Sequence, residues 1–84
     1  MNHIIVLNFL TEKILKYHEK KLKDALQKLQ LHQDRKKHLE TVLEITDNES
    51  KIDIEEEIGK QNEFIGIWEK NIEKINEQLK KLQS

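Results

Sequence analysis

Along the second half of the chain, Ile58, Gln61, Ile65, Trp68, Ile72, Ile75, Leu79 and Leu82 follow one another at alternating intervals of three and four residues. That alternation averages 3.5 residues and keeps one stripe of a helix facing a single neighbour, the a/d seam of a heptad repeat. Ile54 extends the seam by one step, and Gln61 is its only polar member. In the first half, Leu15, Leu22, Leu29, Lys36 and Leu43 recur every seven residues as a positions. The matching d positions are Thr11, His18, Ala25, His32, Leu39 and Thr46, a helix with a less pure stripe.

Between the two arrays lies Thr46-Asp47-Asn48-Glu49-Ser50, the one cluster of turn and capping residues. Ser50 or Asp53 can cap the second helix, with Glu55, Glu56 and Glu57 in its opening turns and Lys80 and Lys81 near its end. Both placements suit the helix dipole. The expected architecture is therefore all-α, an antiparallel two-helix coiled-coil hairpin that dimerises into a four-helix bundle. Residues 1–84 form one domain, with helix one over about 2–46, a turn at 47–50 and helix two over about 51–83. A short connection between long helices makes them antiparallel neighbours. The resulting register sets Leu29 beside Trp68, His32 beside Ile65 and Lys36 beside Gln61. The last pair is expected to act as a polar layer that fixes the alignment.

Apolar residues off the seam point to a further neighbour. Leu10, Tyr17, Leu31 and Ile45 share the c position of helix one, with Leu7, Ile14 and Val42 at g beside them. On helix two, Phe64 and Ile67 occupy g and c next to Trp68. A lone two-stranded pair leaves such positions polar. Residues 1–12 also overhang the end of helix two in this register, and Ile4, Ile5, Leu7, Phe9 and Leu10 make that overhang the most apolar part of the chain. Ile4, Ile5, Leu7, Phe9, Leu10, Ile14, Tyr17, Phe64, Ile67 and Trp68 are the expected contacts for self-association or a protein partner.

Composition removes several alternatives. The 84 residues include no cysteine and no proline, so disulfides, thiolate metal sites and thiol catalysis are excluded. Proline's absence also leaves both helices uninterrupted. The formal net charge of −1 gives no overall field toward nucleic acid or anionic lipid. The charge is unevenly divided: residues 1–46 hold nine basic and six acidic side chains, residues 47–84 six and ten. The apolar start lacks a basic leader and a small-residue cleavage site, and it falls short of the ~20 residues a membrane span needs. A cytoplasmic protein with no membrane span is expected.

Material for chemistry is sparse. There is no glycine-rich phosphate loop, since Gly59 and Gly66 stand seven apart on one helix face. Ser50 has no histidine at triad spacing, and two thin helices enclose no pocket for paired carboxylates. Asp34 and His38 share a face at i, i+4 but supply only two ligands, so neither a metal nor any other cofactor is expected. His18 and His32 sit at d, where an imidazole can act as a polar edge of the seam or as an acid-sensitive switch. The expectation is thus a non-catalytic interaction module, a small adaptor, inhibitor or assembly factor, that forms a homodimer and meets a protein partner of unspecified identity. The alternative is a small nucleic-acid-associated regulator using Lys20, Lys21, Lys23, Arg35 and Lys37 on helix one.

Overall fold

The computed structural model describes the backbone of residues 2–83 and the side chains of residues 8–83. It is a hairpin of two helices, α1 from Asn2 to Ile45 and α2 from Asn48 to Gln83. The rod measures 71 × 14 × 14 Å. Its length is set by the 44 residues of α1, which at about 1.5 Å per residue span about 66 Å. No helix among the described residues is long and apolar enough to cross a membrane.

The connection is shorter than the turn-residue cluster suggests. Among the described residues only Thr46 and Asp47 lie outside the helices. Thr46 closes α1 twice over: its N–H donates to Leu43 O at 3.4 Å and its hydroxyl donates to Val42 O. Asp47 then caps α2, accepting from the Ser50 N–H at 3.0 Å. The expected caps, Ser50 and Asp53, are instead inside the helix, and the segment 48–50 expected in the turn forms the first turn of α2. The reason is that Asp47 already satisfies an orphan donor at the helix start, so Asn48, Glu49 and Ser50 adopt helical geometry. Glu49 places negative charge in that first turn, where the dipole favours it.

The seam read from the sequence is the seam of the structure. On α2, Ile54, Ile58, Gln61, Ile65, Trp68, Ile72, Ile75, Leu79 and Leu82 are all buried or half-buried. On α1 the same holds for every a and d position from Leu15 to Leu43, while Thr11 is exposed. The core is slender: Ala25, at 2% exposure, lies with Ile75 and Leu79, and Leu15, Leu22, Trp68 and Ile72 pack against them. Ala25 is the only small residue in the α1 stripe, and its size accommodates the Trp68 indole nearby. Two polar residues, His32 and Gln61, are also buried.

α1 exceeds α2 by eight residues, 44 against 36, so about 12 Å of α1 at its N-terminal end extends past the end of α2. Its backbone is helical from Asn2 onward. The side chains of Ile4, Ile5 and Leu7, expected to be association contacts, lie outside the described residues.

Candidate interaction surface

The two helices form a ribbon with two broad faces. The g and c positions of α1 border the same face as those of α2. A groove on that face, floored by Ala25, Trp68 and Ile75, is edged by Lys21 and Asp24 on one side and Asn71, Lys74 and Gln78 on the other. Across this face lie Leu10, Ile14, Tyr17, Leu31 and Ile45 of α1 with Phe64 and Ile67 of α2, all exposed. Tyr17 is 59% and Ile67 53% open to solvent. The apolar groups fall in three clusters along the rod: Leu10, Ile14 and Tyr17 near the open end, Leu31, Phe64 and Ile67 at the middle, and half-buried Val42 with Ile45 near the turn.

Local contacts partly shelter the exposed rings on both faces. The Lys21 ammonium sits 5.3 Å from the Tyr17 ring centroid and that of Lys13 4.7 Å from the Phe9 ring. At exposed sites such contacts are worth about 0.5–1 kcal/mol, too little to substitute for burial. Phe64 is held more firmly: its ring stacks on His32 with centroids 4.7 Å apart and planes 14° from parallel. His32 in turn donates from Nδ1 to Gln61 Oε1 at 2.7 Å. An exposed aromatic is thereby fixed by a buried polar pair.

The sequence reading assigned Gln61 to Lys36 and His32 to Ile65. In the structure it is His32 that meets Gln61, while Lys36 is half-buried one turn closer to the connection. The whole register differs from the expected one by one turn: with only Thr46 and Asp47 between the described helices, residue i lies opposite about residue 93 − i, which brings His32 to Gln61 and sets Trp68 against Ala25 rather than Leu29. Trp68, expected among the outward contacts, packs chiefly on the intrachain core and shows one edge in the groove. Phe9, also expected among the contacts, falls with exposed Leu26 and Ile52 on the opposite face, Phe9 and Ile52 at b and Leu26 at e.

The expected basic residues do not gather. Lys21 and Arg35 stand on the face just described, Lys23 and Lys37 on the other, and Lys20 along the outer edge. Asp34 accepts a hydrogen bond from Gln30 Nε2 at 2.9 Å. Among the described residues there is no group of three or more His, Cys, Asp or Glu side chains able to hold a metal ion.

No family model, curated protein or solved structure matches the chain. The surface must therefore be read from its own chemistry.

Proposed function

We propose that this hairpin is a non-catalytic protein–protein interaction module, a small adaptor, inhibitor or assembly factor, whose helices pair as a coiled coil. Its g/c face joins a second copy into a four-helix bundle, and the assembled rod engages a protein partner. The observation that carries this reading is an imbalance. Among the described residues, three hydrophobic ones are buried within the chain, while ten large ones, seven of them on a single face, stay exposed. A chain of this size gains little from its own core, and association is a usual remedy. Burying the exposed half of each such side chain contributes roughly 1 kcal/mol, so seven of them taken twice over a symmetric contact supply up to about 14 kcal/mol, on the scale of the ~4–15 kcal/mol that joining two chains costs.

Replacing Ile14 and Phe64 by Asp tests the reading. The expected result is a hairpin of unchanged helicity by circular dichroism whose mass by light scattering falls to that of one chain. Unchanged mass, with unchanged recovery of any partner, would remove the proposal.

A further inference from the structure

Both the apolar clusters and the charges on the g/c face are arranged to meet a copy of themselves turned end for end. We infer that two hairpins associate face to face in antiparallel orientation, α1 on α1 and α2 on α2. The two-fold axis then crosses the rod at the level of Leu31 and Phe64. This rests on the self-association proposed above and specifies its geometry.

The spacing of the α1 residues carries the argument. Ile14 and Tyr17 are separated by three residues, as are Val42 and Ile45. Tyr17 lies two turns before Asp24, and Arg35 lies two turns before Val42. When α1 is laid antiparallel on its copy, one register therefore brings Ile14 to Ile45, Tyr17 to Val42 and Asp24 to Arg35 together. The register on α2 is fixed separately. Phe64 meeting Ile67 of the second copy also brings Glu57 to Lys74, since both pairs lie symmetrically about one point. That point falls between Phe64 and Ile67. The α1 register centres between Lys28 and Leu31, and His32, the next residue, stacks on Phe64. The two helices, read independently, thus place the axis within about two residues, roughly 3 Å, of one level of the rod. Glu57 also bonds Lys60 in its own helix at 3.1 Å, and both groups are exposed enough to share.

The parallel arrangement puts α1 on α2 of the copy at equal height. Lys21 and Lys74 edge the same stretch of groove, so each would face the other, and Arg35, which stands beside Gln61, would face the neighbouring Lys60. Like charges at an interface disfavour the arrangement that brings them together. The opposite face, with Gly59 and Gly66, remains open in the antiparallel pair.

The test uses the full chain, which has no native cysteine to interfere. A spin label on Lys13→Cys, exposed on the outer edge, reports the separation of the two copies. The antiparallel pair places the labels about 50 Å apart along the rod, the parallel pair within about 30 Å. In parallel, sedimentation equilibrium at low salt should show D24R and R35D each weakening the dimer about tenfold, with D24R/R35D restoring it. A dimer with long label separation and restoration by the double exchange supports the geometry. A dimer with short separation, or without restoration, overturns it while leaving self-association standing. A mass of one chain at every concentration overturns both.

Discussion

His32 and Gln61, 29 residues apart in sequence, meet across the hairpin through a 2.7 Å hydrogen bond from Nδ1 to Oε1, and both are buried. A buried polar pair of this kind contributes little net stability when made and costs much when half of it is removed. Its value is in alignment: sliding one helix by a turn would separate donor from acceptor among apolar neighbours. Gln61→Leu strands the His32 N–H and should destabilise the fold by about 1–3 kcal/mol in urea titration. The double change His32→Leu with Gln61→Leu should recover most of that loss. Costs that simply add in the double variant would show that the two side chains are not coupled.

The connection between the helices depends on one side chain. Asp47 accepts from the Ser50 N–H, and among the described residues only Thr46 lies with it outside the helices. Asp47→Ala should lower the unfolding free energy by about 1 kcal/mol, and Asp47→Ser by much less. Equal effects of the two changes would assign the loss to charge rather than to capping.

Gly59 and Gly66 sit in the middle of α2, and a Cβ built at either meets nothing within 4 Å. Each glycine weakens a helix interior by about 0.5–1 kcal/mol relative to alanine. Gly59→Ala and Gly66→Ala should each raise the melting temperature. Because both lie on the face away from the proposed contact, the dimer mass should persist. Dissociation on either substitution would show that the contact uses the other face.

His18 presents a contrast with His32. It occupies an equivalent seam position, yet its Nδ1 is buried and without a hydrogen-bond partner. Its ring meets Tyr17 edge-on, with centroids 5.5 Å apart. Removing an unsatisfied buried acceptor is favourable where the replacement fills the same space. His18→Leu should therefore stabilise the chain by roughly 1 kcal/mol. A clear loss of stability would mean that Nδ1 finds a partner in solution, such as an ordered water.

The seam was legible because heptad spacing is a geometric property of sequence: Ile54 through Leu82 could be read as one stripe before any contact was known, and each of those residues is buried or half-buried. The outward apolar strip was legible for the same reason, since Leu10, Tyr17 and Leu31 recur at c and the hairpin leaves that position open. What escaped was detail on the scale of one turn. Periodicity locates Gln61 on the seam but does not say whether His32 or Lys36 reaches it. The answer depends on the length of the connection, because a link of Thr46 and Asp47 alone moves every layer by one turn relative to a link of 47–50. The start of α2 was displaced likewise, because Ser50, Asp53 and Asp47 all have capping chemistry and the first to satisfy an orphan donor wins.

The two-residue link has a bearing on how the molecule comes together. Each rung between Leu43 and Leu15 closes a loop only slightly larger than the rung before it, so the entropy cost rises slowly as pairing spreads from the hinge. Assembly should begin around Leu43 and Ile54 and run outward like a fastener, with the speed typical of proteins dominated by contacts between near neighbours in sequence. Loss of structure should travel the other way, from Leu15 and Leu82 inward. Slow amide exchange would then be concentrated toward the hinge side of Ala25.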